Sequence, residues 1–377
     1  MRMSHSESLR GTISRTTTSA RFRRDDEEAL NGLFVRVLDL CAKAGMVKVG
    51  EVAIGGTKIM AGASIEANRS RKWLEEQAKA TLAEAEAKDA AEDALHGTDC
   101  RGDELPEDLR KRASRLAKLR AAKEELDNEQ RAKDLEFADH LAERERKEEE
   151  NGKRLRGRKP QPPPVDEKQN VNLTDPESRI MKDRRGFLQG YNAQAVVSED
   201  QVILSAEITQ QANDVNQLEP MLKAADANLD ALSRLAVVGT VLADAGYWSE
   251  ENATGEIAFE HDLLIATRNR HRAREAFEAQ GSPRGRIAER ATPRERVERR
   301  LRTKDGRETY ARRGVIVEPV FGHIKECRRG RRFMRRGMTA CSSEWKLMAT
   351  AHNLCKLHTA KRKKLLVISA EHGQPRR

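Results

Sequence analysis

Apolar residues recur at helical spacing over residues 24–44, RDDEEALNGLFVRVLDLCAKA. Leu30, Phe34, Val37, Leu38 and Cys41 form one stripe, acids fill the first turn, and Gly45 can close the end. A β-prone run follows, VKVGEVAIGGTKIMAGAS, in which Val47, Val49 and Val52 to Ile54 predict a strand ending at Gly55–Gly56. From about Ile65 to Lys153 the pattern changes to Ala, Glu, Lys and Arg with few β-branched residues, which predicts two long helices broken near 96–106. Leu109, Leu116, Leu119 and Leu126 give a partial seam. Lys123 and Lys133 interrupt it, so a helical hairpin or arm is expected rather than a long coiled coil.

A basic, Pro-rich linker, NGKRLRGRKPQPPPVDEKQ, leads into an α/β pattern from Asn172. GYNAQAVV and QVILSAEIT alternate around a Ser-Glu-Asp turn and predict a β-hairpin. NDVNQLEPMLKAADANLDAL predicts a helix. AVVGTVLA is a continuous apolar run, the mark of a strand buried on both faces, and it ends at Asp244. SEENATGEIAFE predicts a helix capped by Ser249, DLLIATRN a short strand, and SSEWKLMATAHNLCKLHTAKRKK a closing helix. The fold class is therefore α/β.

Composition narrows the function. No apolar run among the 377 residues approaches the roughly 20 that a membrane span needs. The first residues, MRMSHSESLRGTISRTTTSARFRR, lack the apolar core of a secretory signal and predict a basic disordered arm. Five cysteines without a CxxC pair argue against a disulfide framework or a zinc site and for a reducing cytoplasm. Between Arg268 and Arg336 there are 23 Lys and Arg against 9 Asp and Glu, a local excess larger than the net +10 of the whole chain. A concentrated patch of that kind, rich in arginine forks, suits a polyanion such as DNA or RNA.

Within that patch lies YARRGVIVEPVFGHIK, residues 310–325. Pro319 fits the first position of a helix, Val317, Phe321 and Ile324 define an apolar face, and Glu318, Gly322 and Lys325 share the face beside it. Docked on its apolar side, such a helix presents Glu318 and Lys325 together, with Arg312 and Arg313 just upstream. The plainer reading is a surface glutamate in a salt-bridged helix. Asp244, in ADAGYWSEEN, stands at a strand end, where reactive groups of open α/β sheets gather, or else simply caps the next helix. Paired with Glu318 it would supply the hard oxygens that magnesium prefers. His352 fits a satisfied core histidine and His323 an exposed helix position better than either fits a ligand.

These stretches, with TDPESRIMKDRRGFLQGYNAQAVVSEDQVILSAEITQQANDVNQLEPML, VLADAGYWSEEN and YARRGVIVEPVFGHIKECRRGRRFMRRG in this order, resemble the DDE transposases of bacterial insertion sequences. The resemblance implies an RNase H-like mixed sheet flanked by helices, with a long helical insertion after the first strand. It makes Asp244 the second and Glu318 the third acid of a catalytic triad, both ligands of Mg2+ or Mn2+ in a two-metal site. It gives Lys58, Tyr310, Arg312, Arg313, Lys325, Arg328, Arg329, Arg331, Arg332, Arg335 and Arg336 to the DNA of element ends and target. It further implies a homodimer on DNA, no membrane, and a bacterial, nucleoid-associated location.

Two departures matter. The family carries its first acid in Asp-Gly-Thr-Lys, and this chain reads Gly55-Gly56-Thr57-Lys58, so the triad lacks a carboxylate there; Gly62 likewise stands where the family usually has Asn. Asp175, in TDPESR, is the nearest candidate substitute and otherwise a turn residue. The resemblance also begins abruptly near Ala20, which implies a truncated or frameshifted copy. The expected organisation is a basic lead (1–23), a helical remnant (24–48), an RNase H-like domain (49–64 and 171–360) and a helical insertion (65–158). A Pro-rich linker (159–170) and a basic tail (361–377) complete it. An active transposase and a catalytically inactive DNA-binding remnant both satisfy this reading, and a merely basic helical scaffold is the weaker third.

Overall fold

The structure, a computed structural model, describes residues 27–96, 107–154, 157–183, 185–232, 238–268 and 279–372, together with positions 272 and 275. The expected basic lead at 1–23, the helical break near 97–106 and Cys100 lie outside the described residues. The chain forms two compact units. One comprises Met1–Ala61, Met181–Gly186 and Gly190–Arg377, and the other Gly62–Ile180 and Phe187–Gln189.

The first unit is built on a mixed sheet. Helix α1 (Glu27–Lys43) precedes strand β1 (Glu51–Met60), which runs straight through the two glycines instead of ending at them. The whole strand is held by β5 (Gly186–Ser198), antiparallel from Val52↔Ser198 to Met60↔Gly190. The hairpin forms as the alternation predicts: β6 (Ile203–Thr209) pairs antiparallel with β5 across a turn in which Gln201 adopts φ 61°. On the other side of β1 lie β7 (Thr240–Ala243), parallel to it, and β8 (Asp262–Ile265), parallel to β7. Strand β4 (Arg179–Asp183) gives the order β4-β5-β1-β7-β8, with β6 also on β5. With a long helix at Arg71–His96 following β1, this is the RNase H-like arrangement that the resemblance implies.

Helices cover the sheet. α4 (Leu218–Asp230) packs on β6 through Leu218, Met221, Leu222, Ala225 and Leu229, and α10 (Met338–His372) packs on β6 and α1. Among the described residues of the AVVGTVLA run, the last four form β7. SEENATGEIAFE breaks at Gly255 into α5 (Glu250–Thr254), capped by Ser249, and α6 (Glu256–Glu260).

The helix expected to open at Glu318 is the tail of a longer helical run. Thr292 caps α7 (Pro293–Arg302) and Thr303 caps α8 (Lys304–Ile316); Val317 stays in the αR region, and α9 (Glu318–Gly322) and a π-turn (His323–Cys327) follow without an extended residue between them. Pro319 therefore sits inside the run, where its missing N–H leaves the carbonyl four residues back without its helical donor. Gln201 Nε2 supplies the replacement, donating to Val315 O at 2.8 Å.

The second unit contains β2 (Asn68–Ser70), α2 (Arg71–His96), α3 (Glu107–Asn151) and β3 (Asn170–Asn172), with β2 and β3 antiparallel. Its core is small. Leu74 of α2, Leu119, Ala122 and Leu126 of α3, and Val171 of β3 are buried together, with Trp73 and Leu173 against them. Two of these are leucines of the predicted partial seam. The rest of α3 is a charged, largely exposed helix carrying i,i+4 pairs such as Arg144–Glu148 and Lys147–Glu143.

One side chain ties α10 to the sheet. Asn353 is fully buried; its Oδ1 accepts the Ile203 N–H at 2.9 Å and its Nδ2 donates to Ile203 O at 2.9 Å, so it pairs with β6 as another strand would. Asn353→Ala is expected to strand both backbone groups and to lower stability by about 2–4 kcal/mol in a denaturant titration. A loss below roughly 0.5 kcal/mol would rule this role out.

Candidate functional site

The carboxyl end of the sheet brings the predicted acids into one place. Asp244 follows the last residue of β7. Its Oδ1 accepts the Gly246 N–H at 2.8 Å, the capping role of the plainer reading, while its Oδ2 accepts from Arg313 at 2.7 Å. Arg313, on α8 and 15% exposed, also lies 3.7 Å from Glu318 Oε1. One guanidinium thus bridges the two acids. The capped oxygen and the bridged oxygen belong to one carboxylate, so the two readings of Asp244 coexist. Glu318 is 69% exposed and Asp244 41%, so both retain access to solvent.

Position 55 belongs to the same place. Glu51, Val52 and Ala53 are level with Thr240, Val241 and Leu242, and continuing that parallel register sets Gly55 level with Asp244. A β-carbon on Gly55 would point at the helix that carries Glu318, 3.1 Å from both Val317 Cγ2 and Phe321 Cε2. Valine and phenylalanine side chains close over the spot where a carboxylate would begin. Phe321 is held there by stacking on the fully buried Trp345, with ring centroids 6.3 Å apart.

Gly56 faces the opposite way and has a different reason to lack a side chain. Its β-carbon would fall 2.3 Å from Gln194 Nε2, 2.8 Å from Asp214 Oδ1 and 3.0 Å from Asn192 Oδ1. These three residues form a polar cluster that the sequence reading missed. Asp214 Oδ1 accepts from Asn192 Nδ2 and Gln194 Nε2, each at 2.7 Å, and lies 3.5 Å from Lys58 Nζ. Tyr247, fully buried, donates its hydroxyl to Gln194 Oε1. Burial, reinforced by Asp214 and Asp244, pushes the Tyr247 phenol well above its ordinary range. Asp214 stands at the N-cap of the 3-10 turn before α4 but turns its carboxylate to the sheet instead of capping. Its Oδ2 lies 3.3 Å from the β-carbon position of Gly246, and Asp244 Oδ1 lies 3.0 Å from that same point, so the two aspartates are neighbours. The signal was available: Asn192 and Gln194 place amides at alternate positions of an otherwise apolar strand, on one face.

The predicted basic residues divide. Lys58 Nζ donates to Ala212 O at 2.6 Å, and Lys325 Nζ donates to Lys58 O at 2.9 Å; burial lowers the pKa of both lysines. Arg312 turns away from Asp244, to the amino end of β1, where it holds Glu51 and Glu199 at 3.0 Å. Tyr310 is half-buried on α8. Arg328 donates to Cys355 Sγ and Arg331 pairs with Glu326. Arg328, Arg329, Arg332 and Arg336 are exposed, Arg335 half-buried. Asp175 belongs to the second unit, where its carbonyl accepts from Ser178 N at 3.1 Å and Ser178 Oγ at 2.7 Å in a buried turn.

His352 is 3% exposed, as a core histidine should be. Its Nε2 faces Gln201 O at 2.9 Å; a carbonyl only accepts, so that nitrogen carries the proton. Its Nδ1 then accepts from His323 Nδ1–H at 2.9 Å, which makes His323 a half-buried partner and not the exposed residue expected. Among the described residues no group of three His, Cys, Asp or Glu side chains could hold a metal ion.

Comparison with known proteins gives one match. A family model described as "Transposase DDE domain" matches residues 152–354, more than half of the chain. No curated protein and no solved structure matches.

Two outcomes follow from this geometry. Gly56→Ala is expected to displace Gln194 and break its links to Asp214 and Tyr247, costing about 2–4 kcal/mol in a denaturant titration; a wild-type midpoint would exclude the packing described. Burial lowers the His352 pKa to about 4, below the 6.5 of a free side chain. The unfolded chain therefore binds this proton first, and the stabilisation present above pH 6.5 is lost as pH falls toward 4. The loss is on the order of 3 kcal/mol. His352→Gln should flatten that part of the pH–stability curve, and an unchanged slope would refute the assignment.

Proposed function

The chain belongs to the family of transposase DDE domains, and on that premise we propose that it binds DNA at the ends of a mobile element through the carboxyl end of its sheet. We propose further that Asp244 and Glu318 are what remains of its cleavage centre. The observation that carries this reading is the Arg313 bridge, which holds those two acids together in solvent-accessible positions.

The donor set fits a single hard cation. Two partly exposed carboxylates suit one Mg2+ or Mn2+ completed by water and phosphate oxygens, whereas a two-metal site needs a further carboxylate. When bound, such an ion supplies Lewis-acid stabilisation and a more acidic water for an in-line phosphoryl displacement. The chain's own side chains do the rest. Asp244 and Glu318 offer oxygens, Arg313 orients both and offsets part of their charge, and Lys58 and Lys325 place two ammonium groups beside β1. Arg328, Arg329, Arg332 and Arg336 meet the phosphate backbone as an exposed set, giving affinity and register but little base reading. Strand transfer at two element ends would engage two copies, which supports a homodimer on DNA.

A second reading, DNA binding with cleavage impaired, is favoured by a specific observation: a β-carbon on Gly55 would meet Val317 and Phe321 at 3.1 Å, so a side chain there must push both aside. DNA affinity should fall steeply and log-linearly with salt, and a salt-insensitive interaction would remove DNA as the partner. The wild type is expected to nick DNA weakly or not at all with Mg2+. Gly55→Asp alone must push two side chains aside, so Gly55→Asp combined with Val317→Ala should recover more activity, by roughly a hundredfold or more over wild type. Asp244→Ala should abolish what is recovered. Rapid wild-type nicking that Asp244→Ala removes would overturn the impaired reading and leave an active enzyme.

A further inference from the structure

Immediately past the carboxyl end of β1, the sequence RRFMRR presents an apolar side chain where charge dominates. Met334 is 80% exposed, yet the backbone that carries it is firmly held. Met60 N donates to Arg331 O at 3.1 Å, Phe333 N donates to Met60 O at 2.8 Å, and Met60 and Arg332 form a parallel bridge. From the other side, the Glu344 carboxylate accepts the N–H groups of Met334 and Arg335 at 3.0 Å. Phe333 points inward, fully buried and edge-on to Tyr191 with centroids 6.0 Å apart. With Phe333 locked inside, the next side chain must point out.

An isolated exposed methionine on a loose loop would need no explanation. This one is mounted on a pinned backbone, flanked by the exposed Arg332 and Arg336, two residues along β1 from Lys58. Charge complementarity selects a polyanion as the partner of the flanking arginines. A rigidly presented, slender and polarisable side chain in their midst suits the apolar edge of that polyanion, its stacked bases. We propose that Met334 is a wedge that enters between base pairs of bound duplex DNA and partly unstacks one step, while the arginines on either side hold the phosphates. The proposal rests on the DNA-binding reading above.

The test uses the full chain and a short duplex carrying 2-aminopurine at regular intervals, whose fluorescence rises when its stack opens, with binding followed separately by anisotropy. Wild type should bind and raise the fluorescence. Met334→Ala should still fold, with an unchanged thermal midpoint since the side chain is exposed, and should bind roughly tenfold more weakly. At saturation it should lose most of the fluorescence rise. Met334→Leu, another apolar wedge, should retain the rise. A full rise with Met334→Ala at saturation, or its loss with Met334→Leu, overturns the wedge while leaving DNA binding intact. Absence of any wild-type binding overturns the DNA-binding reading itself. Loss of a dimer in Met334→Ala, seen by light scattering with the rise preserved, would assign Met334 to an interface between copies instead.

Discussion

The close approach over Gly55 and Gly56 is the constraint on which the rest of the site depends. Two adjacent strand residues without side chains let opposite faces of β1 be contacted at once. On one face the helical run bearing Glu318 comes down until Val317 and Phe321 occupy the space beside a β-carbon at position 55. On the other, Asn192, Gln194 and Asp214 close into a polar cluster against the chain itself. Alternation of strand side chains makes the two contacts independent, so the glycines are not interchangeable. Gly55 faces the helical run that carries Glu318, and Gly56 is required by the space its neighbours occupy.

Charge is arranged around that approach by side chains adjacent in sequence and separated in space. Arg312 and Arg313 follow one another on α8, yet one binds Glu51 and Glu199 at the amino end of β1 and the other binds Asp244 and Glu318 at the carboxyl end. A helix advances about 100° per residue, so neighbours leave it in different directions. The basic excess that marks the sequence therefore contains two populations. Some cations are committed to carboxylates or backbone carbonyls of the protein, and others, such as Arg329 and Arg332, lie exposed on the post-helix segment. The committed ones shape the site, and the exposed ones are those to which a phosphate backbone has access.

Interruptions in regular structure are compensated locally. Pro319 removes a donor from the helical run, and Gln201, in a left-handed turn conformation, replaces it at Val315 O. The same Gln201 accepts the His352 Nε2–H on its carbonyl, so one hairpin turn supports the Glu318 helix and α10 together. The second unit depends on far less. A few leucines and one valine hold its helices near their base, and the rest of α3 rests on helix propensity and i,i+4 pairs.

Patterning in the sequence by itself determined the hairpin, the amphipathic α1, the helical insertion and the strand just before Asp244, because burial leaves its spacing in the chain. Spacing around Glu318 and the local basic excess marked the site, and the motif order pointed to the family. Only the tertiary structure decided that β1 continues through its glycines, since pairing with β5 and the approach of α8 and α9 outweigh their weak strand propensity. Only the folded chain could reveal that Glu318 lies within a helix begun at Lys304 and that Asp214 joins Asp244. It likewise separated Arg312 from the acids and paired His323 with His352. Those facts depend on contacts between residues far apart in sequence, for which a single chain carries no periodic signal.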